Sequence, residues 1–129
     1  MATELTMLAW AALLGFVYIF AATAVVTRER GMKWNASARD APTPPLSPLA
    51  GRLARAQANF LETFPFFAAA VVAVVVAGRG SDSTALAAQA YVWSRLVYLP
   101  LYALGVPYLR SLVWLVSLAS IVVLLAALL

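Results

Sequence analysis

Between residues 5 and 27 the chain carries no charged side chain. That is more than the ~20 apolar residues an α-helix needs to cross a hydrocarbon core ~30 Å thick. Within such a core every backbone polar group must be satisfied internally, which leaves helices and closed barrels as the structures that span it. Three further apolar stretches follow, at about 52–78, 84–104 and 110–129. Hydrophobic residues make up 64% of the 129 residues, against ~45–50% in a soluble domain. The mean hydropathy is +0.90. The expectation is an all-α integral membrane protein of one domain, residues 1–129, with the four spans packed as an antiparallel four-helix bundle because the connections are short. The first run is too long for a signal peptide, follows Glu4 instead of a basic segment, and is itself followed by basic residues, so it reads as a span.

The one long polar segment is 28–51. It holds Arg28, Arg30, Lys33 and Arg39 against Glu29 and Asp40, and ends in a proline-rich run, Pro42, Pro44, Pro45 and Pro48, that reads as a stiff spacer. With Arg52 and Arg55 just beyond it, this loop concentrates the basic residues, whereas the turn at 79–83 has only Arg79. The positive-inside rule then makes the loop cytoplasmic and puts both termini outside. The net charge of +4 is explained by these flanking anchors at a membrane surface, not by nucleic acid. Proline at position 65 should kink the second span, Asp82 or Ser83 should cap the third, and Gly105 and Pro107 should end it.

The chain has no cysteine and no histidine. Thiolate nucleophiles, the commonest metal ligands and any Ser-His or Cys-His pairing are therefore excluded, and no metal site is expected. The polar groups inside the spans stand out against this background. Arg55, Asn59 and Glu62 share one face of the second span. Arg95, Tyr98 and Tyr102 share one face of the third. In antiparallel helices without a large vertical offset, the rungs match: Arg55 with Tyr102, Asn59 with Tyr98, and Glu62 with Arg95. At ~1.5 Å per residue the last rung lies roughly 14–15 Å from the cytoplasmic end. A Glu62–Arg95 ion pair is the natural expectation, because an ionisable group at that depth costs at least ~2.5–3.5 kcal/mol and usually has a partner.

Each element also has a structural account. Glu62 and Arg95 can serve to fix helix register alone. Tyr98 and Tyr102 can be interfacial aromatics, and Arg55 and Arg110 plain anchors. A structural pair, however, needs only two of these groups. The full ladder of arginines, carboxylate, amide and phenols suits a small zwitterionic ligand with carboxylates and an amine.

At these residues the chain resembles the MAPEG family, the membrane-associated proteins of eicosanoid and glutathione metabolism. The run from Arg55 through Asn59, Glu62 and Pro65 to Phe67 looks like the family's RAxxNxxExxPxF signature, and Arg95, Tyr98 and Tyr102 are similar to its RxxYxxxY pattern. The resemblance covers nearly the whole chain and is nearest to short bacterial-type members, which implies a multi-pass protein of a bacterial inner membrane. It implies a homotrimer that binds glutathione between subunits. Arg55, Asn59, Glu62, Arg95, Tyr98 and Tyr102 would hold the tripeptide, with Gln57 contributed by the adjacent subunit. Arg110 would stabilise the thiolate, and Arg28 or Arg30 could add to it. A thiol of pKa about 8.5 is mostly protonated at neutral pH, and a nearby guanidinium raises the thiolate fraction. Thr63 departs from the pattern, standing where several glutathione-using members carry tyrosine.

The leading expectation is thus a glutathione-dependent membrane transferase or peroxidase acting on lipophilic electrophiles. Its partners would be glutathione, a lipophilic small molecule and membrane lipid. The alternative on the same fold is a non-catalytic lipid-binding or scaffold protein, which would bind no glutathione. A third class, a small ion-coupled exporter, would carry its key glutamate in the first span, which here has no charge.

Overall fold

The computed structural model describes residues 1–129. It has five helices: α1 (Thr3–Arg30), α2 (Met32–Ala36), α3 (Pro48–Val76), α4 (Asp82–Ala103) and α5 (Pro107–Ala126). Of these, α1, α3 and α5 are each long and apolar enough to cross a membrane. The 22 residues of α4 include Gln89, Ser94 and Arg95, which lower its hydropathy. The four long helices pack on one another, most extensively α4 on α5 and α1 on α3, while α3 also touches α4 and α5. There is no strand, as expected of a chain in which backbone groups must pair within their own segment.

Helix ends follow local chemistry, and several differ from the sequence expectation. α3 starts at Pro48, a turn before Arg52. The Ser47 side chain accepts from the Ala50 N–H, and Pro48 stands at the first helical position, where its missing N–H costs nothing. The last proline of the expected spacer is thus a helix start. α3 then runs without interruption past Pro65. The cap of α4 is Ser81, not Asp82 or Ser83; it forms a capping box with Thr84. α5 likewise opens on a proline, Pro107, so Arg110 falls within its first turn.

At the far end of α4, Gly105 takes a positive φ of 75°. Its N–H reaches Tyr102 O and the next N–H, of Val106, reaches Leu101 O, which satisfies the carbonyls that a helix end leaves orphaned. The Arg52 side chain reaches across from α3 and donates to Ala103 O at 2.9 Å. This contact sets the ends of α3 and α4 side by side.

Two clusters make the core. The larger gathers Ala11, Phe67, Val71, Val74, Tyr91 and Leu124, among others. The smaller, nearer the Arg30 end, is Leu14, Tyr18, Ala56, Phe60 and Tyr98. At the opposite end the Glu4 carboxylate is buried and accepts from the Thr84 hydroxyl at 3.0 Å, clasping α1 to α4.

The 28–47 connection is held by its own polar groups. Glu29 accepts from both the backbone N–H and the hydroxyl of Ser47. Arg30 and Arg39 lie over the Trp34 ring at 4.9 and 4.7 Å. The Asn35 amide donates to the Thr27 hydroxyl at 2.8 Å.

Candidate functional site

The polar residues of α3 and α4 meet where the sequence spacing places them, but not rung for rung. Arg55 Nε donates to the Tyr102 hydroxyl at 3.2 Å, as the register expectation had it. One turn deeper the pairing changes. Arg95 Nη1 donates to Asn59 Oδ1 at 2.8 Å, so Asn59 faces Arg95 rather than Tyr98.

The expected Glu62–Arg95 ion pair is not formed within the chain. Glu62 is exposed, while Arg95 is 0% exposed with Nε and Nη2 unpartnered. Two causes act together. An arginine side chain is long enough to reach a full helical turn away from its own Cα. Asn59 and Glu62, three residues apart, are turned about 60° from each other around α3, so only one of them can face α4 squarely.

Arg95 sits in an aromatic cage. Its guanidinium lies 4.3 Å from the Tyr98 ring centroid, 5.4 Å from Phe60 and 5.7 Å from Tyr18. Such contacts strengthen when the cation is desolvated. Tyr18 also donates its hydroxyl to the Arg95 backbone carbonyl at 2.5 Å. Sequence reasoning did not single out Tyr18 or Phe60. The signal for Tyr18 was available: a lone phenol in the middle of an uncharged span must find an acceptor.

Nearer the chain's Arg30 end the site opens. The Tyr102 ring has Arg110 at 4.7 Å and Arg55 at 5.9 Å from its centroid, two cations from different helices on one phenol. Tyr98 and Tyr102 lie with ring centroids 5.5 Å apart. Arg55 is exposed, and Arg110 and Asn59 are half-buried. The structure thus brings Arg55, Asn59, Arg95, Tyr98, Tyr102 and Arg110 together. Gln57 is half-buried on α3 and makes no hydrogen bond within the chain. Arg30 is directed to Trp34 and the Pro44 carbonyl, and Arg28 is exposed. Thr63 is buried with its hydroxyl 2.9 Å from that of Tyr91, inside the core and away from the open side.

A family model for the MAPEG family matches residues 7–129. The chain belongs to the MAPEG family. That family includes glutathione-dependent transferases and also non-catalytic members. No curated protein matches the chain. In this MAPEG protein a concavity of about 450 Å³ runs between α1 and α4 and is lined by Trp10, Leu14, Val17, Trp93 and Leu96 among others. No ionisable side chain lines it. The ionisable groups gather instead in the polar cluster of α3, α4 and α5.

Proposed function

We propose that the protein is a glutathione-dependent membrane transferase or peroxidase that acts on lipophilic electrophiles, working as a homotrimer of four-span subunits in a bacterial inner membrane. The observation that carries this reading is the convergence of Arg55 and Arg110 on Tyr102 at the open end of the polar cluster. Two guanidiniums on one side, an amide at Asn59 and an exposed carboxylate at Glu62 fit the groups of a tripeptide that carries two carboxylates and an amine. Glutathione supplies the nucleophilic sulfur, which the chain itself lacks.

The residues divide the work by position. Arg55 holds a ligand carboxylate, Tyr102 orients Arg55 and Arg110 by accepting the first and stacking under the second, and Tyr98 walls the cleft. Arg110 stabilises negative charge on sulfur and is the catalytic residue. Glu62 is exposed and meets the ligand amine. An exposed carboxylate on a membrane helix is costly without cover, which favours a neighbouring subunit packed on this face of α3, with Gln57 of one subunit reaching toward its neighbour's site. The electrophile enters sideways from the bilayer.

The test is calorimetry of glutathione with the detergent-purified protein and Arg55→Ala as control. Saturable binding that the substitution abolishes is the expected result. No binding at millimolar glutathione would favour a non-catalytic member of the family, with the cluster serving structure alone.

A further inference from the structure

We propose that Arg95 is a positioning residue: by holding Asn59 Oδ1 it fixes the Asn59 amide so that only N–H donors face the ligand, and the site therefore accepts a carbonyl or carboxylate oxygen at that point and rejects an amine or alkyl group. This inference rests on the ligand reading above and adds the polarity of one contact and the residue that sets it.

A guanidinium carries five N–H donors and no acceptor. The Asn59 atom at 2.8 Å from Nη1 must then be the carbonyl oxygen, so the amide orientation, usually ambiguous for asparagine, is dictated by chemistry. With the oxygen held by Arg95, the amide Nδ2 makes no hydrogen bond within the chain and is left as the free donor of a half-buried residue, one turn along α3 from Arg55. An asparagine free to rotate can offer either a donor or an acceptor. This one offers donors.

Arg95 itself is kept from the ligand. It is 0% exposed, and the rings of Tyr18, Phe60 and Tyr98 surround it. Its backbone is also tied, through the Tyr18 hydroxyl, to α1. The guanidinium cannot swing out without emptying that cage, so its influence on a bound molecule passes through Asn59. A buried arginine that served helix register alone would leave the orientation of Asn59 immaterial to binding.

Two measurements on the purified full chain decide the matter. The first is Asn59→Asp, a near-isosteric change that gives Arg95 a carboxylate partner and leaves acceptors where the donors were. The expected result is a melting temperature at or above the wild-type value together with glutathione binding weakened at least tenfold. The second is a cycle of Arg95→Lys, Asn59→Ala and the double variant, read as glutathione dissociation constants. Arg95→Lys should weaken binding several-fold in the wild-type background and leave it unchanged once Asn59 is alanine.

Additive losses in the cycle would overturn the proposal by showing that Arg95 touches the ligand itself. Wild-type affinity in Asn59→Asp would overturn it by showing that the amide's polarity is not read. An Asn59→Asp protein that melts below the wild type would overturn the Arg95–Asn59 lock, whatever binds. Absence of glutathione binding by the wild type, with the Asn59→Asp melting result as expected, would instead overturn the ligand reading, and with it the specificity half of the proposal.

Discussion

The hydroxyl of Tyr18 donates to the backbone carbonyl of Arg95, joining two helices through residues 77 positions apart. The same ring lies against the Arg95 guanidinium, so one side chain of α1 holds both the main chain and the charge of α4. Removing the hydroxyl in Tyr18→Phe keeps the ring and loses the bond. The expected cost is about 0.5–1.5 kcal/mol, read as a lowered midpoint in thermal unfolding of the detergent-solubilised protein. An unchanged midpoint would mean that the bond contributes nothing to holding α1 on α4.

Arg110 lies over Tyr102 at the open end of the cluster. If it stabilises the thiolate, Arg110→Ala should lower the glutathione conjugation rate by roughly 10²-fold while the glutathione dissociation constant moves only a few-fold. The sign of the pH effect follows. A cation lowers the pKa of a nearby thiol, so its removal shifts the rise of rate with pH to higher pH, and the deficit narrows in alkaline buffer. A deficit that stays constant across pH would assign Arg110 to binding instead.

Glu62 is exposed and takes no partner within the chain. Its assignment to the ligand amine predicts that Glu62→Gln weakens glutathione by about tenfold, the scale of one charge-assisted hydrogen bond. A glutathione analogue lacking the amine should bind wild type and variant alike. Equal weakening for both compounds would move Glu62 to a structural role between subunits.

At the opposite end, the buried Glu4 carboxylate and the Thr84 hydroxyl clasp α1 to the start of α4. Glu4→Ala leaves Thr84 without this acceptor and should destabilise by about 1–2 kcal/mol. Thr84→Val should cost a similar amount, and the double variant less than the two together, because the pair shares one bond. Full additivity in the unfolding data would show that the clasp is not a unit.

Much of this was legible in the residues. The long helices follow from the apolar stretches, since few other structures satisfy the backbone in a bilayer. Spacing alone put Arg55, Asn59 and Glu62 on one face and foresaw the Arg55–Tyr102 contact. What failed was the treatment of side chains as points at the depth of their Cα atoms. Arg95 reaches a turn along the bundle to Asn59, and the slight rotation between Asn59 and Glu62 turns the carboxylate outward. Tyr18 was passed over because the first span was read for charge, and a phenol has none. The Glu4–Thr84 clasp joins the starts of two helices far apart in sequence, a contact that periodicity within one helix cannot reveal. Ser47 and Pro48 read as spacer until the cap they form with Ala50 is seen.

The aromatic cage around Arg95 has a consequence for biogenesis. α4 is not among the helices apolar enough to cross a membrane by composition, and its buried arginine is one of the residues that lower its hydropathy: a guanidinium in hydrocarbon costs at least ~2.5–3.5 kcal/mol. Synthesis runs from the N-terminus, and what emerges first folds first. Tyr18, Asn59 and Phe60 all precede Arg95 in the chain, so α1 and α3 can be in the bilayer, with their acceptors and rings in place, before the translocon meets the charge. The order of the sequence delivers most of the receptacle ahead of the cation, and only the Tyr98 ring, on α4 itself, arrives after it.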